Sequence, residues 1–195
     1  LRLVLIGEET DLITIEVDYP EFINEHLYTL CANFLLTKAV LHLHCSFVFY
    51  EGNALLFSGP SGIGKTTQAE LWRDFQGARI INGDAALLRQ MEDGKWWAFG
   101  TPVHGSSPYC ENEQAPIVAL VMLKQGKENK LTKLDSFSAV TSCLPEFYRP
   151  QMDEKTAEVF WKSVDSLFRE VPVYCLTCRP DQESTEIVKQ ELFKE

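Results

Sequence analysis

The sequence predicts an α/β domain, a mixed β-sheet with helices packed on it, and three observations carry that prediction. Two hairpin signatures, Phe47 to Tyr50 with Ala54 to Ser58 about Glu51-Gly52-Asn53, and Ala86 to Gln90 with Trp96 to Phe99 about Asp93-Gly94, call for antiparallel pairs. The run Ile117-Val-Ala-Leu-Val-Met-Leu123 is apolar without alternation, the pattern of a strand buried on both faces. From Asp153, an N-cap residue, Ala157, Phe160, Trp161, Val164, Leu167 and Phe168 recur at helical spacing, giving an amphipathic helix whose apolar stripe needs a sheet to cover.

The other elements follow in chain order. Residues 1–40 read as strands plus one helix, the helix over Glu21 to Lys38 with Leu27, Leu30, Cys31, Phe34 and Leu35 on one face. Ala39 to Cys45 alternates as a strand and sets His42 and His44 on one side of it. A helix is expected over Thr67 to Phe75, and a short strand over Ala78 to Asp84. Thr101 to Ala115 reads as a loop, long for a compact domain, in which His104, Ser106, Ser107, Asn112 and Glu113 suit a binding role. Val171 to Arg179 reads as the last strand, where an offset of three puts Cys175 and Cys178 on opposite faces, against a shared metal or redox site. Arg179-Pro180-Asp181 then stops that strand and starts a final helix carrying Ile187, Val188 and Leu192 inward.

A chain of 195 residues with 45% hydrophobic content buries a full core as one domain spanning 1–195. The formal charge of -10, with no cluster of basic residues, disfavours nucleic acid as a partner, since phosphate backbones need a concentrated cationic surface. No apolar run is long enough to span a bilayer, so no membrane partner is expected. Six cysteines scattered through apolar neighbourhoods suggest reduced thiols and a cytoplasmic protein.

The strongest chemical signal is G-x-x-x-x-G-K-[ST], the Walker A pattern, met by Gly59, Gly64, Lys65 and Thr66 within Gly59-Pro60-Ser61-Gly62-Ile63-Gly64-Lys65-Thr66-Thr67. An apolar strand precedes it and a helix follows, the context in which backbone N–H groups and a helix end cradle phosphates. ATP and Mg²⁺ are the expected ligands, with Lys65 reaching the β/γ-phosphates and the Thr66 hydroxyl on the metal. Asp84, closing Ala78-Arg-Ile-Ile-Asn-Gly-Asp84 after the loop helix, is the first choice for holding metal or preparing a nucleophile.

Hairpins on both sides of the phosphate loop disfavour small GTPases and nucleoside kinases, whose loop strands sit in parallel sheets. His44 fifteen positions before Gly59, the hairpin at Glu51-Gly52-Asn53, the loop itself and Ile80-Ile-Asn-Gly-Asp84 together resemble HPr kinase/phosphorylase, of the phosphoenolpyruvate carboxykinase-like P-loop fold. Gly100-Thr-Pro-Val-His-Gly-Ser-Ser107 followed by Asn112-Glu-Gln-Ala-Pro116 looks like the short stand-alone relatives of that kinase. The resemblance implies a mixed-sheet domain of the HPr kinase C-terminal type, and an ATP-dependent kinase that phosphorylates a serine hydroxyl of a protein or peptide. It implies that Lys65, Asp84 and His44 are catalytic, and that Thr66 and Asp84 serve the metal. The family's acidic pair is reduced here to Gly83-Asp84, so Glu113 is the nearest supplier of a second carboxylate. There is also no room for the regulatory N-terminal domain, so an acceptor other than HPr is expected. Self-association is left open. A nucleotide-binding regulatory module without transfer chemistry, and a carboxykinase acting on a small keto acid, are the competing readings.

Overall fold

The computed structural model describes residues 2–6, 12–16, 31 and 34–194. β1 (Arg2–Ile6) and β2 (Leu12–Glu16) pair antiparallel as a two-stranded sheet. The helix expected over Glu21 to Lys38 falls mostly outside the described residues, although 34–37 are helical.

Among the described residues the main sheet has eight strands: β3 (Leu41–Tyr50), β4 (Asn53–Ser58), β5 (Arg79–Asn82), β6 (Ala85–Gln90), β7 (Trp96–Phe99), β8 (Gln114–Gln125), β9 (Lys130–Lys133) and β10 (Val173–Cys178). It is mixed: β3 with β4 and β6 with β7 are antiparallel, while β8 runs parallel to both β4 and β10. Both expected hairpins form. Glu51 and Gly52 take left-handed φ values of 47° and 78° to turn the first one. The two separate strands read before the loop are one ten-residue strand, because β3 stays apolar at Leu41, Leu43, Cys45 and Phe47 straight through the polar Ser46. Its edges are shared out. β4 lies along its second half, while β5 and β6 follow one another along it in nearly continuous register, Phe47 opposite Asn82 and His44 opposite Ala85. β3, β4, β8, β7 and β6 thereby pair in a closed circuit.

Helices cover both faces. α1 (Lys65–Gln76) and α4 (Gln182–Leu192) pack on the side of Val48, Leu55, Phe57, Val121 and Leu176. Trp72 of α1 is fully buried there, edge-on to Tyr50 at 5.3 Å between ring centroids. The opposite face of Leu43, Phe47, Leu56 and Leu120 receives α3 (Glu154–Glu170) through Phe160, Val164 and Leu167. α2 (Ser136–Cys143), which like β9 was too short to show in the sequence, joins the same layer through Ala139 and Cys143. Asp135, Asp153 and Asp181 cap α2, α3 and α4, each side chain accepting the N–H three residues on. At α1 the capping residue is Gly64, in a left-handed conformation with no side-chain cap.

Candidate active site

The candidate phosphate loop, Gly59 to Thr67, leaves the buried end of β4. Gly59, Gly62 and Gly64 have φ values of 141°, 78° and 112°, conformations that a side chain resists, and the N–H of Ile63 closes a turn on the Pro60 carbonyl at 3.1 Å. Pro60, Ser61 and Thr67 are exposed along the loop. Lys65 is folded back and nearly buried, its ammonium donating to the carbonyls of Gly59 at 2.9 Å and Pro60 at 3.3 Å. Burial lowers its pKa, against the pull of the negative charges of Glu146 and Asp84, both close enough to favour the ammonium.

Asp84 reaches this loop because the strand that carries it is broken. Between β5 and β6 the chain leaves strand geometry at Gly83-Asp84 while β3 continues straight beside it. Asn82, fully buried, holds the break. Its Oδ1 accepts the N–H groups of Asp84 at 2.8 Å and Ala85 at 2.9 Å, and its Nδ2 donates to the carbonyls of Thr101 at 2.9 Å and Val103 at 3.0 Å. The Gly83 carbonyl accepts from the Ser46 hydroxyl at 3.0 Å and the Thr66 hydroxyl at 3.3 Å, tying the break to β3 and to the first turn of α1. With its proton committed to Gly83, the Thr66 oxygen keeps its lone pairs for a cation.

His44 stands between two carboxylates. Its Nε2 lies 3.4 Å from Oδ1 of Asp84, and its Nδ1 lies 3.1 Å from Oε2 of Glu146. A neutral imidazole donates to one of them, and only a doubly protonated ring donates to both. Glu146 ends the short 3-10 turn Leu144–Glu146, after which the chain lies along the stretch of β3 that β4 leaves free, Phe147 bridging Leu43 and the Tyr148 N–H donating to the His42 carbonyl at 2.9 Å. The Glu146 side chain is 10% exposed, against 34% for His44 and 39% for Asp84, so it is the buried member of the three. The sequence reading missed Glu146. The two side chains are 102 positions apart and no local motif marks the later one.

Glu113 is not brought to this cluster. Its carboxylate pairs with Arg79 at 3.3 Å, and Arg79 also pairs with Glu111 and lies over Phe49, at the far end of β5 from Asp84. The second carboxylate beside His44 is therefore Glu146. Among the described residues no group of three or more His, Cys, Asp or Glu could hold a metal by itself. The six cysteines are free, and burial pushes the Cys143 thiol up to about 12 and raises that of Cys45, which leaves both as unreactive packing groups.

The loop between β7 and β8 closes over the break. Besides its bonds to Asn82, Glu111 donates its N–H to the Ile81 carbonyl at 2.8 Å, and Tyr109 accepts from Arg73 and donates to Glu70, both on α1. A Cβ added to Gly83 would sit 2.0 Å from Oγ of Ser107, so only glycine lets the loop come this close. His104 lies in the turn itself, its ring 2.5 Å from the Ser107 carbonyl. On the other side of the phosphate loop, a cleft of about 390 Å³ opens between Gly62, Gly64 and Gln68 and the ends of β8 and β10, with Arg179 at its rim.

No protein-family model matches the chain, and no curated protein matches it. Among solved structures it is similar to an HPr(Ser) kinase/phosphatase from Coxiella burnetii, with 13% identity and a TM-score of 0.45 over 78% of this chain and 97% of that one.

Proposed function

We propose that the chain is an ATP-dependent kinase of the P-loop class, which binds Mg-ATP across Gly59 to Thr67 and moves the γ-phosphoryl group to a serine hydroxyl of a protein or peptide. The observation that carries this is the junction of Thr66 with the Gly83-Asp84 break, which sets a carboxylate, a lysine and a metal-competent hydroxyl around one phosphate cradle. The left-handed glycines and the uncapped start of α1 suit an anion, because the first N–H groups of that helix have no side-chain acceptor. The neighbouring cleft is of a size to take a nucleoside.

Mg²⁺ fits the donors present. Thr66 offers lone pairs and Asp84 a half-exposed carboxylate, and a magnesium site normally draws its other ligands from phosphates and water. When bound, the ion would supply charge neutralisation for the phosphates. The chain's own residues do the rest. Lys65 leaves the Gly59 and Pro60 carbonyls to take the phosphate oxygens. Asp84 accepts the proton of the incoming hydroxyl as its oxygen bonds to the γ-phosphorus and the bond to the β,γ-bridging oxygen breaks, releasing ADP. His44, fixed from behind by Glu146, keeps the Asp84 carboxylate in line. The test is to incubate the protein with Mg²⁺, γ-labelled ATP and a lysate of its source, and to identify labelled species by mass. Label that disappears with Lys65→Ala supports transfer from this loop, whereas tight ATP binding with no label on any species defeats it.

A further inference from the structure

We propose that Ser106 is itself a phosphoryl acceptor, modified in cis by the site it adjoins, an inference that rests on the kinase reading above. The turn His104 to Ser107 is closed by the Ser107 N–H donating to the His104 carbonyl at 3.0 Å, and its tip is Gly105-Ser106, both exposed. Gly105, with φ of 55°, lies against the catalytic carboxylate. A Cβ placed on it would meet Oδ2 of Asp84 at 2.8 Å and Cγ at 2.9 Å, so no side chain stands between the tip and the acid. The next residue along is a serine open to solvent. Ser107 cannot take this part, because it is buried, with its Oγ against Gly83 and accepting the Tyr109 N–H at 3.2 Å.

The loop also holds the tip in place. Asn82 fixes it at Thr101 and Val103, and Tyr109 fixes it to Glu70 and Arg73 of α1, the helix that begins at the phosphate loop. A hydroxyl tethered this way needs no encounter with the donor, and intramolecular placement of that kind is worth large effective concentrations. In the transfer, the Ser106 oxygen bonds to the γ-phosphorus, the bond to the β,γ-bridging oxygen breaks, the hydroxyl proton passes to Asp84, and ADP departs. The product is a phosphoserine on the chain.

The experiment uses the full chain alone with Mg²⁺ and γ-labelled ATP, maps the label by tandem mass spectrometry, and measures ATP binding in parallel by calorimetry. Expected are saturation at about one phosphate per chain on Ser106, a rate constant unchanged by dilution of the protein, and loss of the label in Ser106→Ala with ATP affinity retained. Bound ATP without label on Ser106, label on a different residue, or a rate constant that falls with dilution would overturn the proposal while leaving the kinase reading intact. Absence of ATP binding would overturn both.

Discussion

Asp84 and Glu146 flank the same imidazole but differ in exposure, and their replacements separate two kinds of contribution. Asp84→Asn keeps shape and removes the proposed proton acceptor, so turnover should drop by roughly 10²–10⁴-fold with ATP affinity largely kept, as read from single-turnover labelling beside calorimetry. Equal loss of affinity and turnover would instead confine Asp84 to holding the metal or the fold, with no part in proton removal. Glu146→Gln leaves Asp84 in place but loosens the ring behind it. A bond to a charged group is worth about 1.5–3 kcal/mol, so turnover should fall roughly 10- to 100-fold with ATP affinity kept, because the imidazole then loses one of its two carboxylate partners. Unchanged turnover would reduce Glu146 to packing. His42, on the same strand, is mostly buried, and its pKa is lowered to about 4, first by burial and then by His44. The unfolded chain then binds a proton through the window from about 6.5 down to about 4 that the folded chain does not, so stability falls with acidification there by up to about 3 kcal/mol. Urea melts of wild type and His42→Gln across that window should show wild type losing ground to the variant as pH drops. At this scale the sequence put forward Lys65 and Thr66 from a spaced motif, Asp84 from the end of a short strand and His44 from a family resemblance, and the fold brings these candidates together. Glu146 meets His44 only through tertiary pairing and left no local trace.

Among the elements, the broken strand is the sensitive one. Gly83→Ala would thrust a methyl into Ser107, and neither Oγ nor Cβ of that buried residue can give way while the loop stays clamped by Asn82. A cost of about 1–3 kcal/mol in thermal or urea unfolding is expected, with faster proteolysis of the 101–113 loop. An Ala variant as stable as wild type would mean that the loop does not rest there. The hairpins, the long buried strand β8 and the amphipathic α3 were legible because turn residues and apolar periodicity are local signals. β9 and α2 were not. β9 is a four-residue edge strand, lysine at both ends, that depends on β10 for its form, and α2 is only eight residues long. The Thr101 to Ala115 segment read as a loop suited to binding, yet a buried asparagine, whose role the sequence did not disclose, helps to give it a fixed course, and its last two residues open β8.

For the molecule as a whole, ligand linkage gives the plainest check. Mg-ATP at about 100 times its dissociation constant should raise unfolding free energy by about 2.7 kcal/mol, and Lys65→Ala should lose most of that gain in a thermal-shift assay. No helix among the described residues is long and apolar enough to cross a membrane. The ten residues of β3 have a wider consequence. Three otherwise unrelated stretches of chain take their longitudinal position from it: the hairpin leading to the phosphate loop, the Gly83-Asp84 break, and the segment behind Glu146. It works as a measuring stick, and such a stick cannot change length. One residue gained or lost between His44 and Phe47 would turn the imidazole into the opposite, greasy compartment while each stretch kept its own internal bonds. Proteins of this architecture should accordingly vary in length at their turns and never within that strand.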